Sequence, residues 1–447
     1  MKVLIATMPF AGHIHPMQPI ALALTRRGHT VAWLTSASHA HMIPQTGALF
    51  IPSPPPLAAH DETALAPDPE TSGLAAVVST LRKLFLDRVP DQVAAYRAVL
   101  DGSDGTPAFE ADILLVDLCA YGAHCLRDLT GVPYATLGIN PLVTLDPEVP
   151  PWGTGWLPPT TFFGRWLNSL AHAAASWLLY PKLTAALNAH RKELGLPPLP
   201  ATGFYDSTRS DVLHIMPTTP AFEFPRKNLH PAVKFVGPLL PLFNEDELEP
   251  LPKWWDEMLA HPREKVIHVT QGTYATNAAN LITPTLAALA HRPDLLVIVT
   301  TPNAETHLPA SSLPSNARVA SFIPHARLLP HVGVMVTNAG YNGVLAALRF
   351  GVPLVCAALR FGVPLVCAGR SEDKADVSSR VAWSGAGIDL ATDAPSEDVL
   401  RRAVERVIDE GKFRSAAERV SADFGGHGDG PGEAVDALEE VVERSRR

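Results

Sequence analysis

Cysteine is scarce in this chain: there are four in 447 residues, Cys119, Cys125, Cys356 and Cys367, and none forms a Cys-x-x-Cys pair. Four scattered cysteines in so long a chain fit a reducing compartment with no disulfide framework. Uninterrupted apolar runs of about 18 residues are also missing, so no membrane span is expected. The apolar start, residues 1–8, breaks off at a Gly-His turn, too early for the core of a signal peptide. It reads as a buried first strand of a soluble, cytoplasmic protein. Charge is sparse too, at 18% Asp, Glu, Lys and Arg, with no long run of one sign and a formal net charge of −9. A mildly acidic surface argues against nucleic acid or an anionic membrane as partner. No carboxylate cluster suggests a magnesium or manganese site, and no metal is expected.

What the chain does have is apolar material, 47% of its residues, and a length suited to two domains of ordinary size. Short β-branched runs alternate with longer helical patterns. The predicted strands are 2–8, 30–35, 113–117 and 134–138 in the first half, and 266–271, 295–301, 318–322 and 332–337 in the second. Near-continuous apolar strands spaced by helices imply parallel sheets buried on both faces. The expected fold is therefore α/β, with two doubly wound Rossmann-like domains at 1–216 and 253–432. A proline-rich linker, 217–252, joins them. The last segment, 433–447, follows a glycine-rich turn and reads as a helix. Residues 75–100 read as a helix with one apolar face. The stretch 145–165 is crowded with proline and aromatics, including Trp152, Trp156, Phe162 and Phe163. It reads either as the wall of an apolar pocket or as core.

Candidate chemistry sits at strand ends. In Phe10-Ala11-Gly12-His13-Ile14-His15-Pro16, Gly12 permits a tight turn and Pro16 suits the start of a helix. His13 is thereby placed at the carboxyl edge of the first sheet, where open α/β folds bind ligands. A neutral imidazole there can take a proton from a hydroxyl; the same spacing also fits a capping or surface histidine. Asp117 ends a strand at the same edge and can hold a ring nitrogen of His13, or cap a helix. In the second half, Val269-Thr270-Gln271-Gly272-Thr273 and Thr337-Asn338-Ala339-Gly340-Tyr341-Asn342-Gly343 are strand-to-turn passages. Their N–H groups can cradle phosphate.

An ordered set of motifs carries a family resemblance: Phe322-Ile323-Pro324-His325, Leu328-Leu329-Pro330-His331, the turn 337–343, Gly-Val-Pro, Glu372-Asp373-Lys374 and Arg380-Val381. It resembles the nucleotide-sugar glycosyltransferases of the UDP-glycosyltransferase type, of GT-B architecture, and among them the bacterial enzymes of natural-product chemistry. The resemblance implies an inverting transfer from a UDP- or dTDP-sugar to a small hydrophobic acceptor, with no cofactor and no metal, by a monomer or homodimer. It implies that His13 is the general base and Asp117 its partner, and that Phe322 stacks on the nucleobase with His325 beside it. Thr273, Asn338, Gly340, Asn342 and Gly343 then face the diphosphate. Asp373, with Glu372 next to it, faces the donor sugar. The final helix is expected to cross back onto the first domain.

Departures from the family pattern are specific. Asn338 stands where His is usual, Gly343 where Ser or Thr is usual, Ala346 where many members have Glu, and Lys374 where Gln is common. Residues 347–357 are also repeated without change as 358–368, the mark of a recent or artificial duplication rather than of a solenoid. Gly351 has the family's spacing from Asn342, and Gly362 its spacing to Asp373. The expectation is that the second copy forms the strand and the first bulges away from ligand. Two rival functions share the architecture: a sugar-nucleotide epimerase, and a catalytically impaired relative acting as a binding or auxiliary protein.

Overall fold

The computed structural model describes every residue except 59–72, 103–106, 144, 243–249, 272–276, 302–307, 309–312, 353, 357–372 and 393. The first sheet contains β1 (Lys2–Ala6), β2 (Thr30–Thr35), β3 (Leu49–Pro52), β4 (Ile113–Asp117), β5 (Tyr134–Leu137), β6 (His214–Met216) and β7 (Val233–Phe235), ordered β3-β2-β1-β4-β5-β6-β7. The second contains β8 (Val266–Thr270), β9 (Leu296–Thr300), β10 (Ala317–Ala320), β11 (Val334–Thr337), β12 (Leu354–Cys356) and β13 (Gly387–Asp389), ordered β10-β9-β8-β11-β12-β13. Every pairing in both is parallel.

The period-2 geometry of a strand sorts its side chains between two cores. Val3 and Ile5 of β1 face one buried cluster, and Leu4 and Ala6 face another. In the second sheet Val334 and Val336 point to one side of β11 and Met335 to the other. Strands buried on both faces must be apolar throughout, which is why the central strands stand out in the sequence. Strand β7 lies inside the proline-rich stretch 217–252. It pairs with β6, so the first domain runs through Phe235 and the connector begins after it. The single helix expected over 75–100 is broken into Gly73–Leu81, a wider turn Arg82–Leu86, and Val89–Asp101. Pro90 enters at the first turn of the last of these, where its missing N–H costs nothing.

The duplicated segment behaves opposite to expectation. The first copy, not the second, supplies the strand: 347–349 complete the helix Tyr341–Arg349, and Leu354–Cys356 is β12, paired with β11 and β13. Local closure decides this. Gly351 sits at φ 63°, its N–H donates to the Leu348 carbonyl at 3.0 Å, and the Val352 N–H donates to the Ala347 carbonyl at 2.9 Å. The first copy is continuous with the helix and makes that left-handed turn at its end. The second copy lies outside the described residues.

The final helix, Gly430–Arg446, packs on the first domain. Its Ala434, Val435, Leu438, Val441 and Val442 join the cluster under Val3 and Ile5. Its rim is pinned by Arg27 to Asp436, His29 to Glu439 at 2.7 Å, and Arg446 to Asp112 at 2.7 Å. A second tie is a buried ionic knot. Glu223 accepts from Arg226 of the first domain at 3.2 Å and from Arg380 of the second at 2.9 Å, and also takes the Leu142 N–H. The two guanidiniums beside it hold the Glu223 carboxyl below its usual value despite its burial. A third tie is Asp376, which accepts the N–H groups of Gly153 at 2.6 Å and Gly155 at 3.2 Å. Burial pushes the Asp376 carboxyl up.

Candidate active site

Strand order reverses twice, between β1 and β4 and between β8 and β11, and each reversal opens a crevice at the carboxyl ends. His13 lies in a one-turn helix, Ala11–Ile14, just after β1, and Asp117 is the last residue of β4. The first crevice thus brings the two together: His13 Nδ1 is 3.2 Å from Asp117 Oδ2. Asp117 is fully buried and held from below, with the Met8 N–H on Oδ2 at 2.7 Å and the Cys119 N–H on Oδ1 at 2.9 Å. Its orientation is therefore set by the backbone of both strand ends. The Nδ1–Oδ2 approach is within ion-pair reach but off the line of a hydrogen bond. Ligand-free catalytic pairs often tighten only when substrate arrives. Phe10 packs 5.1 Å from the His13 ring, centre to centre, and limits its swing. Cys119 is buried beside the pair, and the three side chains offer ligand-type atoms within 4.8 Å of one another.

The second crevice is built around the turn after β11. Ala339 takes φ 64°, a left-handed conformation that a non-glycine residue adopts at a cost, and it is fully buried. That kink sends Gly340 into the N-cap of the helix Tyr341–Arg349, whose first N–H groups have no partner within the helix. The Asn338 amide is spent on the Gln271 carbonyl of the neighbouring strand end. Asn342 crosses between domains, its Nδ2 donating to the Gly12 carbonyl at 3.0 Å. The two turns therefore face each other directly. His325 lies beside Gly343, where an added Cβ would meet its Cε1 at 3.7 Å, an ordinary contact. Burial pushes the His325 imidazole down to about 4 and holds that of His268, 5.8 Å away, well below its usual value. Both are neutral at neutral pH. Phe322 is 55% exposed.

This geometry can be set against known proteins. A match to the family described as UDP-glucoronosyl and UDP-glucosyl transferase spans residues 195–438, more than half of the chain. Over 99% of both chains, the sequence is 35% identical to 4'-demethylrebeccamycin synthase of Lentzea aerocolonigenes. The chain belongs to this family. It is also 29% identical to UDP-glycosyltransferase 2 of Phaeomoniella chlamydospora, over 99% of this chain and 94% of that one. Two solved structures share its architecture. The calicheamicin glycosyltransferase CalG4 aligns with a TM-score of 0.69 at 20% identity, over 99% of this chain and 98% of that one. The spinosyn rhamnosyltransferase SpnG, complexed with thymidine diphosphate, aligns at 0.66 and 18% identity, over 98% and 100%. The protein is a glycosyltransferase with the GT-B fold.

Within this glycosyltransferase the remaining site residues fall unevenly. Asp373 is half-buried at the N-cap of the helix Lys374–Ser384. Thr273 and Glu372 lie outside the described residues. Trp152 and Trp156 are half-buried in the loop that Asp376 clamps, beside the domain junction. Phe162 and Phe163 do not share that setting: they are 82% and 67% exposed, so they are not core. The reason is that the helix Phe162–Ala174 turns its polar side inward. Sequence reasoning missed Asp376 and Glu223, and it singled out Arg380 only as part of a motif, without its partner. Their significance lies in contacts 157 to 223 residues apart in the chain, which no local spacing can signal. Among the described residues no helix is long and apolar enough to cross a membrane.

Proposed function

We propose that this glycosyltransferase transfers a sugar from a nucleoside diphosphate, of uridine or deoxythymidine type, to a hydroxyl of a small apolar natural product, with inversion and without a metal. The observation that carries the reading is the His13–Asp117 pair at the first crevice, facing the glycine turn of the second through the Asn342–Gly12 contact. His13 Nδ1 is turned to Asp117, which leaves Nε2 to take the proton of the acceptor hydroxyl. The oxygen attacks the anomeric carbon from the side opposite the diphosphate; the new C–O bond forms as the bond to the diphosphate oxygen breaks, inverting the centre. Asp117 stabilises the imidazolium so formed. The leaving diphosphate is met by the N–H groups at the start of the helix Tyr341–Arg349 and its positive dipole end. With Asn338 bonded to Gln271 and Gly343 lacking a hydroxyl, main-chain donors carry that task. Phe322 is suited to stack on the base, His325 to bond its edge, and Asp373 to bond sugar hydroxyls. The names of the relatives, a rebeccamycin-type synthase and the calicheamicin and spinosyn enzymes, support an acceptor of natural-product type.

Calorimetric titration of UDP and dTDP tests the reading without knowledge of the acceptor. One nucleotide should bind, with EDTA present or absent. His13→Ala should keep that affinity yet lose turnover by about 10²–10⁴-fold, the usual worth of a positioned general base. Absence of binding by either nucleotide overturns the reading.

A further inference from the structure

The outer helix of the first domain, Phe162–Ala174, is folded inside out. Its one buried residue is an amide, Asn168, which donates to the Pro147 carbonyl at 2.8 Å and the Val149 carbonyl at 3.3 Å. One turn on, His172 Nε2 lies 2.8 Å from the same Val149 carbonyl. The opposite side carries Phe162, Phe163, Trp166 and Leu170, exposed by 82, 67, 54 and 52%, and the turn that follows adds Trp177 at 84% and Leu178 at 50%. Positions 163, 166, 170 and 177 follow helical spacing, so this is one continuous stripe. Phe163 and Trp166 already stack on each other, with ring centres 5.7 Å apart. An ordinary surface helix buries such a stripe and turns its polar side out.

The extent of the stripe says what could cover it. Each aromatic side chain buries about 150–250 Å² when fully enclosed. Weighted by exposure, the four aromatics alone present about 400–700 Å², before the leucines are added. That reaches the largest apolar patch of a typical monomer, about 300–600 Å², and approaches one side of a standard interface, about 800 Å². Composition agrees. Between Glu148 and Lys182 the only Asp, Glu, Lys or Arg is Arg165, and interface cores are depleted in charge and enriched in aromatics. A membrane surface is a poor occupant. Helices that lie on membranes set basic residues along a solvent-facing polar side; here the polar side is uncharged and buried, on a chain of net charge −9. A second copy of the same neutral face brings no such conflict, because one arginine per copy is the only charge involved.

We propose that two copies of this chain associate through the outer faces of the helix Phe162–Ala174 and the turn after it, as an isologous twofold dimer. Trp166 and Leu170 lie in the middle of the stripe and form the centre of the contact, with Phe162 and Trp177 toward its ends. The association does not depend on the reaction proposed above.

Sedimentation velocity of the full-length protein from about 1 to 50 µM tests this, alongside Trp166→Glu/Leu170→Glu and, as a second variant, Trp177→Lys. All three positions are exposed, so circular dichroism and melting temperature should not change. The wild type should run at twice the 47.9 kDa chain mass. The double variant should stay monomeric throughout, and Trp177→Lys should weaken the dimer at least tenfold. A monomeric wild type at 50 µM overturns the proposal. So does a double variant that dimerises as well as wild type, which would place the contact elsewhere. Co-sedimentation of monomeric wild type with phosphatidylcholine–phosphatidylglycerol vesicles, lost in the double variant, would assign the stripe to a lipid surface instead.

Discussion

Replacing Asp117 by Asn changes one atom and should be felt in two separate measurements. The carboxylate serves three neighbours: the Met8 N–H at 2.7 Å and His13 Nδ1 at 3.2 Å on Oδ2, and the Cys119 N–H at 2.9 Å on Oδ1. An amide has one acceptor oxygen and one NH₂ group. Whichever way it sits, its NH₂ confronts a backbone N–H that is buried and has lost its partner. A hydrogen bond to a charged group contributes about 1.5–3 kcal/mol, and a stranded buried donor costs about 1–3 kcal/mol. A destabilisation of about 2–4 kcal/mol in the first domain follows. It can be read in urea from the fluorescence of Trp33, whose buried indole is bonded to Thr7 beside β1. Turnover should fall further than stability. With the negative charge gone, the imidazolium formed on proton transfer is unsupported, and kcat should drop by about 10²–10⁴-fold. Nucleotide affinity should hold, since the donor turn belongs to the other domain. A folded Asp117→Asn enzyme with kcat within threefold of wild type would refute the dyad. Unchanged stability would refute the hydrogen-bond argument.

Two further outcomes follow from the same contacts. Removing 347–357 or 358–368 produces the same sequence, and that one variant retains everything β12 needs; shortening the chain between Cys356 and Asp373 from 16 residues to 5 lowers loop-closure entropy by about 1 kcal/mol. Its melting temperature should therefore equal or exceed that of wild type, and a loss of several degrees would show that the second copy contributes contacts. The His214 imidazole, 3% exposed in β6 with Nδ1 2.7 Å from Thr136 Oγ1, is pushed by burial down to about 3, against about 6.5 when unfolded. Above pH 6.5 neither state binds this proton and its contribution to stability is intact. Below 6.5 only the unfolded state binds it, and about 2 kcal/mol is lost by pH 5. His214→Asn keeps an acceptor for Thr136, so its melting temperature should fall less between pH 8 and 5; equal falls would remove His214 from the acid limb.

How much of this was legible in the sequence depended on the range of the interaction. All eight strands predicted from apolar runs are present, because a central strand buried on both faces must announce itself locally. The five others, β3, β6, β7, β12 and β13, are only three or four residues long. Pairing partners make them strands, and β7 is hidden in a stretch whose prolines read as linker. The His13–Asp117 pair was legible for a related reason: one follows and the other ends a strand at the same edge, and a parallel sheet brings such ends together. The Asn338-Ala339-Gly340 turn was equally visible, although the strained φ at Ala339 was not. Phe162 and Phe163 misled because composition cannot say which side of a helix faces in. Asn168 and His172 find carbonyl partners at Pro147 and Val149, and those two bonds settle the orientation.

The duplication separates the two kinds of knowledge most clearly. Its two copies are identical, so residue composition cannot prefer either as β12. The chain-local fact that residues 347–349 complete a helix begun at Tyr341 makes the choice, and it acts only once the helix is packed and Gly351 has closed it. By itself the sequence determined two parallel α/β domains, a histidine and a carboxylate at one sheet edge, and a glycine-containing turn at another, since these rest on period, turn chemistry and position along a strand. Tertiary structure alone decided how the domains lock through Glu223, Arg380 and Asp376, and which aromatics face water. Those outcomes depend on partners more than a hundred residues away or on the far side of a helix, and the free energy of such contacts exists only after the chain has folded.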